Sequence, residues 1–377
     1  MLTELSSFKF IITTFLLVSI GNVAFAQNPS SKVKFWNPQQ SDVSYIEGQG
    51  WLGEMVGNYN RLPLKMKGVV GERLWQLSQN SAGLKIRFKT NAQEIIVRYV
   101  VNQEFDMPHM PATGVSGLDL YAKTAKGEWL WAAGKFHFND TITYKFQHIL
   151  TKEYDSKELE YQLYLPLYNT VSWMEIGVQE SAFFQPLTPR QHFPIVIYGT
   201  SIAQGACASR PGLAWTNILE RKLGMPVLNL GFSGNGKLEK PLLNLMSEID
   251  ASLYVLDCLP NLTKIPKDEL EELIYNAVVS LKKQHPETAV LLTAHGGYTE
   301  ENLSDIRKLE YENANKALDA AFKRLKKNKI NQIYMLSKNE LGQGIETMVD
   351  GIHPNDLGMM LYAEGYFQKI NKILSKR

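Results

Sequence analysis

What most constrains this chain is a change of hydrophobic rhythm at about residue 190. Before it, apolar and polar residues alternate over short runs, as in Leu84-Lys85-Ile86-Arg87-Phe88-Lys89. Ile95-Ile96-Val97-Arg98-Tyr99-Val100 and Tyr161-Gln162-Leu163-Tyr164-Leu165 are rich in branched and aromatic side chains. Runs of that kind, separated by Gly, Asn, Asp and Pro, predict an antiparallel sandwich of jelly-roll type. Asn91-Ala92 and Thr124-Ala125-Lys126-Gly127 read as hairpin turns. No helix-period stretch of any length is expected between residues 27 and 185. The two prolines of Gln185-Pro186-Leu187-Thr188-Pro189-Arg190-Gln191 discourage regular structure, which places a linker at 186–193.

From residue 194 to 377 the apolar runs become continuous: Ile195–Tyr198, Val227–Leu230, Leu253–Leu256, Val290–Leu292 and Ile333–Leu336. A parallel strand covered on both faces has that signature. Amphipathic stretches lie between them, at Leu213–Leu223, Lys267–Gln284, Ile306–Lys327 and Leu357–Leu374. The expectation is an α/β fold, a doubly wound, flavodoxin-like domain preceded by an all-β sandwich.

The first 26 residues stand apart. Lys9, an apolar run from Phe10 to Val18 and the small residues Ala24 and Ala26 form an export signal, cut after Ala26. The run is too short to span a bilayer as an anchor, which takes about 20 apolar residues. The mature chain is therefore expected in the periplasm or outside the cell, without an integral membrane span. Forty basic residues against 38 acidic ones leave a net charge of +2, which argues against nucleic acid as a partner. Cys207 and Cys258 are too few for a disulfide scaffold and lack metal-site spacing. One bridge and two buried thiols are both compatible with the sequence. No metal or organic cofactor is implied.

In open α/β sheets ligands bind beyond the carboxyl ends of the strands. Four such ends carry reactive groups. Gly199-Thr200-Ser201 exposes a hydroxyl at a strand-to-helix turn. The five-residue elbow Gly-x-Ser-x-Gly is absent, because Ala203 holds its last place. Gly231-Phe232-Ser233-Gly234-Asn235-Gly236 brings backbone N–H groups close to a ligand, and Asn261 adds a side-chain amide at the same rim. Asp350-Gly351-Ile352-His353-Pro354 sets a carboxylate three residues from an imidazole. Each has an ordinary structural reading when taken alone, as a helix cap or a turn.

Together these four blocks resemble the SGNH (GDSL-type) hydrolase family, over residues from about 194 to 370. The family's Ser, Gly, Asn and His fall on Ser201, Gly234, Asn261 and His353, and its acid on Asp350. Two blocks depart from its pattern: Gly-Thr-Ser-Ile stands for Gly-Asp-Ser-Leu, and Leu-Pro-Asn-Leu for Gly-x-Asn-Asp. Gly117-Leu118-Asp119-Leu120-Tyr121 is similar to the Gly-x-Asp-Leu-Tyr motif of a subgroup with an N-terminal sandwich. The resemblance implies a serine esterase. Ser201 would be its nucleophile, His353 its base and Asp350 the orienting acid. The oxyanion would be held by the Ser201 and Gly234 N–H groups and Asn261. The substrate would be an acylated small molecule or, more specifically, an acetylated polysaccharide. A lipase, an acyltransferase and a glycan-binding module with an inactive site are the alternatives.

Other residues read as structural. His295 suits a buried, satisfied histidine, and His109 a loop histidine, though a place in a cleft between the two parts is open to it. Asp119 and Tyr121 are assigned to the sandwich framework. Trp129, Trp131 and Trp173 are assigned to the core rather than to a sugar platform. Lys323-Arg324-Leu325-Lys326-Lys327 reads as a solvated helix end.

Overall fold

The computed structural model describes residues 32–150, 154 and 157–375. The export-signal residues lie outside that range. Among the described residues, no helix is long and apolar enough to cross a membrane. From Val33 onward the chain gathers into one compact unit.

Two antiparallel sheets come first. One has the order β1 (Val33–Trp36), β10 (Val171–Gln179), β4 (Glu94–Val101), β8 (Ile142–Gln147), β7 (Lys135–His137). The other runs β11 (Phe184–Leu187), β3 (Lys85–Thr90), β9 (Leu159–Tyr164), β5 (Asp119–Lys123), β6 (Trp129–Ala132), with β2 (Ile46–Glu47) beside β3. Alternate residues face a shared core: Ile95, Val97 and Tyr99 from β4 meet Ile86, Phe88 and Leu163 from the opposite sheet. The period-two pattern is thus an inside–outside pattern.

Three details differ from the sequence reading. Asn91-Ala92 is not a hairpin turn, because β3 and β4 belong to different sheets. The chain crosses there from one sheet to the other. Thr90 Oγ1 accepts from the Ala92 N–H at 3.1 Å, and Asn91 Oδ1 accepts from Phe183 N–H at 2.9 Å. The Thr124–Gly127 turn does close a hairpin, between β5 and β6. Pro186 and Leu187 lie in β11 rather than in a linker, and an edge strand tolerates proline because the missing N–H would face outward. Finally, the sandwich region holds a seven-residue helix, α1 (Glu72–Ser78), and one turn, α2 (Ala112–Val115).

The second half is a five-stranded parallel sheet of order β13 (Val227–Gly231), β12 (Ile195–Gly199), β14 (Leu253–Asp257), β15 (Ala289–Thr293), β16 (Ile333–Leu336). Numbered from β12, the order is 2-1-3-4-5, that of the flavodoxin-like fold. Val196, Tyr198, Tyr254, Leu256 and Leu292 face α5 (Lys240–Met246), α6 (Lys267–Gln284) and α7 (Asp305–Lys327). Ile195, Ile197, Val255 and Leu291 face α3 (Ser201–Gln204), α4 (Trp215–Leu223) and α8 (Asp356–Leu374). Burial on both faces explains why these strands read as unbroken apolar runs. Helix α5 lacked a sequence expectation because it is only seven residues long. Lys323–Lys327 closes α7 as a basic last turn.

Buried ionic groups join the two halves. Glu220 of α4 meets Lys85 of β3 at 2.6 Å and also pairs with Arg190, which in turn pairs with Glu47. Asp119 of the Gly-x-Asp-Leu-Tyr motif accepts from Gly212 N–H at 2.8 Å and pairs with Arg210. Arg210 also donates to the Tyr121 hydroxyl at 2.7 Å. The motif is therefore a strap between the sandwich and the α/β layers. Trp131 corrects its assignment: 51 % exposed, it lies outside the core and packs its ring under Arg210. Trp129 and Trp173 are half-buried.

Asp257, at the end of β14 and in register with Gly199, is fully buried. Burial pushes its carboxyl up to about 7, against the opposing hydrogen bonds of the Tyr366 and Tyr362 hydroxyls. A folded-state value above that of the unfolded chain means the fold keeps a proton which the unfolded chain releases. Stability should therefore fall as pH rises from about 4 to about 7 through this group, by about 1.4 kcal/mol for each pH unit crossed. Asp257→Asn removes the ionisation. The variant should match the wild type in urea midpoint near the acid end of that window and exceed it at alkaline pH. Parallel midpoint curves would show that Asp257 does not titrate in this way.

Candidate active site

The turn that carries Ser201 is set by close packing. Strand β12 ends at Gly199, and α3 begins at Ser201. Thr200, standing where the family has Asp, caps that helix, its Oγ1 accepting from Ile202 N–H at 3.4 Å. The neighbouring loop interlocks with the turn: a Cβ on Gly236 would lie 2.1 Å from the Gly199 carbonyl oxygen, so only glycine fits. Ser201 is held in place from the sandwich side as well, where the Tyr168 hydroxyl donates to its carbonyl at 3.3 Å.

His353 arrives on the loop between β16 and α8. The loop is closed by Val349 N–H donating to His353 O at 2.8 Å and pinned by Thr299 N–H donating to Gly351 O at 3.1 Å. Gly351 has φ +92°, a left-handed conformation that favours glycine. Asp350 organises the turn with both oxygens. Its Oδ1 accepts from the N–H groups of Ile352 at 3.3 Å and His353 at 2.9 Å, and its Oδ2 lies 2.7 Å from His353 Nδ1. Burial alone would raise the Asp350 carboxyl, but the hydrogen bonds from His353 outweigh it and hold it below the usual carboxylate range. An ionised Asp350 fixes the tautomer with the proton on Nδ1, leaving Nε2 as an acceptor. That nitrogen lies 2.7 Å from Ser201 Oγ.

The expected oxyanion donors gather at the same rim. The amides of Phe232, Ser233 and Asn235 are committed to Gly199 O, Gln204 Oε1 and Phe232 O. Among the described residues no acceptor faces the Gly234 N–H. The Asn261 side-chain amide donates to Asn235 O, which brings it beside that loop. An amide nitrogen carries two hydrogens, so one remains for a ligand.

Other candidates resolve differently. His295 is 1 % exposed, and burial, helped by Lys338, drives its ring down to about 3, so it is neutral. Its Nδ1 accepts from Gly297 N–H at 2.9 Å, while Nε2 has no partner, so it is structural but not fully satisfied. Cys207 and Cys258 are free, buried thiols rather than a bridge. Burial, with Asp350 adding, pushes the Cys207 thiol up to about 12, which denies it a role as thiolate. His109 is the correction: it is no ordinary loop residue, its ring centre lying 6.1 Å from that of His353. His109, Cys207 and Asp350 each bring a ligating atom within 4.8 Å of the others. Cation binding there would have to take Asp350 from His353 and a proton from Cys207, so the trio does not fit a resident cofactor. The sequence held no local signal for His109, since its neighbour is 244 positions away in the chain.

Residues 192–371 match the GDSL-like lipase/acylhydrolase family, and residues 33–184 match the N-terminus of SGNH-type esterases, the GxDLY family. A search of curated proteins returned no match. Among solved structures, a GDSL-like lipase from Bacteroides ovatus is similar with a TM-score of 0.82 at 30% identity, over 91% of this chain and 98% of that one. The salicylyl-acyltransferase SsfX3 of a tetracycline biosynthetic pathway shares the fold at a TM-score of 0.73 and 16% identity, covering 90% and 97%. A family two carbohydrate esterase from Cellvibrio japonicus does so at 0.56 and 11%, covering 92% and 99%. The chain is a member of the GDSL-like lipase/acylhydrolase family, a hydrolase of the esterase type that carries the GxDLY N-terminal region.

Proposed function

We propose that the protein is an exported serine esterase that removes acetyl or similarly short acyl groups from carbohydrate. One observation carries the reading: Ser201 Oγ, His353 and Asp350 form an unbroken line of two 2.7 Å contacts. Ser201 Oγ attacks the acyl carbon while His353 Nε2 takes its proton. The resulting imidazolium, steadied by Asp350, then protonates the departing alcohol oxygen. Water, deprotonated by the same nitrogen, attacks the acyl-enzyme and releases the acid. The oxyanion formed in each half is met by the Ser201 and Gly234 N–H groups and by Asn261.

The carbohydrate preference is supported by the fold shared with a Cellvibrio japonicus carbohydrate esterase. Export is supported by the leader sequence. A fluorophosphonate probe should label the mature wild type and not Ser201→Ala. Acetate release from acetylated polysaccharides should exceed hydrolysis of long-chain nitrophenyl esters. The reverse preference would replace the carbohydrate reading by a lipase.

Asn261→Ala tests the oxyanion assignment. Removing one donor typically costs about 100- to 1,000-fold in kcat. A loss of that size with KM little changed is expected in steady-state hydrolysis of nitrophenyl acetate. A wild-type rate would remove Asn261 from the oxyanion site.

A further inference from the structure

Beside His353 lies a cavity of about 270 Å³, walled largely by the sandwich half of the chain. Arg73 and Gln76 reach it from one face of α1, Gln103 and His109 from the following loops, and Asn80 from the turn after α1. Its lining contains no carboxylate. The Glu72 carboxylate, next to Arg73 on the helix, accepts from Gln76 Nε2 at 3.1 Å, and Arg73 itself pairs with no carboxylate among the described residues. Asn80 is 2 % exposed, and its Nδ2 has no acceptor among the described residues. That donor is sealed within the wall, so the charged group that faces the cavity is the exposed, unpaired guanidinium of Arg73. His353 is on the wall, and its Nε2 hands a proton to the departing alcohol. Ser233, next to Gly234, is on the wall as well, so the cavity opens beside the reacting atoms.

We propose that this cavity is a subsite for a carboxylate-bearing sugar, so that the esters this enzyme cleaves sit on a uronic acid or on its immediate neighbour in an acidic glycan. The planar guanidinium of Arg73 matches a carboxylate in fork geometry. The volume is just below the range of about 300–1,000 Å³ usual for ligand pockets, which suits one ring rather than a long segment of chain. The inference rests on the esterase reading for its place beside the nucleophile, but its test does not depend on turnover.

Binding of methyl glucuronoside and methyl glucoside to the full chain carrying Ser201→Ala is measured by titration calorimetry. The uronoside should bind about tenfold to a hundredfold tighter, the range of a charge-assisted pair. Adding Arg73→Gln should collapse that gap, Arg73→Lys should keep part of it, and raised salt should narrow it. In the wild type the same preference should show in the ratio of kcat/KM for the acetylated forms of the two sugars. Equal binding of both sugars, no measurable binding of either in the millimolar range, or a gap that survives Arg73→Gln overturns the subsite. A binding gap in a wild type that hydrolyses no ester would instead sink the esterase reading and leave the subsite standing. Hydrolysis without a gap would do the opposite.

Discussion

Ser201→Ala is expected to lower kcat for nitrophenyl acetate by about a millionfold, and His353→Ala by nearly as much. The two effects should not add. The hydroxyl and the imidazole act as one unit through their 2.7 Å contact, so the double variant should be no slower than either single one. Asp350→Asn should cost about 10,000-fold for a different reason. An amide in that place offers either an oxygen or an NH₂ to His353 Nδ1. Where the NH₂ faces the ring, the proton is driven to Nε2 and the base is blocked. In the other orientation the turn suffers instead, because the NH₂ then faces the His353 backbone N–H that Asp350 Oδ1 accepts at 2.9 Å. The diagnostic is His353→Ala: wild-type turnover, or undiminished fluorophosphonate labelling of Ser201, would refute the assignment. Additive losses in the double variant would show that the two groups work apart.

How much of this was legible in the sequence depended on chain distance. The parallel sheet read cleanly because Ile195–Tyr198 and its fellows are buried on both faces and therefore form continuous apolar runs. The catalytic candidates could be picked out because in such a sheet ligands bind beyond the strand ends. In the sandwich, alternation identified strands but not partners. Thr90 to Glu94 has the composition of a tight turn whether the next strand pairs with the last or starts the opposite sheet, and only the shared core decides. Helix α1 was missed because seven residues make fewer than two turns, although Leu74 and Leu77 carry the three-residue spacing. The cavity beside His353 was invisible for a further reason. Arg73, Asn80 and His109 have no motif, and their meaning comes from chain segments more than 200 positions apart being packed together. Trp131 was misplaced because a β-strand aromatic is usually core, whereas here its ring covers Arg210 at the strap between the halves.

The same long-range packing makes Arg61 the residue whose loss should damage stability most. It is 1 % exposed, and burial presses its guanidinium down to about 9, so the chain keeps it there against a desolvation cost. Its donors meet backbone carbonyls: Nε reaches Asn80 O at 2.9 Å, Nη2 reaches Leu77 O at 2.7 Å, and Nη1 reaches Gly231 O and, at 3.4 Å, Asn229 O. Two problems are solved by one side chain. Leu77 is in the last turn of α1, where helix carbonyls lack partners and a cation is favoured. Asn229 and Gly231 lie on β13, the edge strand of the parallel sheet, whose outer carbonyls have no neighbouring strand. Arg61→Met keeps most of the stem's volume and removes every side-chain donor, taking the guanidinium from the Asn80, Asn229 and Gly231 carbonyls, while Leu77 O keeps the Asn80 N–H at 3.1 Å. The expected loss is about 3–5 kcal/mol, seen as a lower urea midpoint at unchanged slope. Because β13 leads directly into the Gly234 loop, and α1 carries Arg73 and Gln76, kcat and sugar binding should fall together in variant protein that is still folded. A wild-type midpoint would mean that water replaces the guanidinium. A lower midpoint with untouched catalysis would mean that the Gly234 loop is held in place without Arg61, by its bonds to Gly199, Gln204 and Asn261.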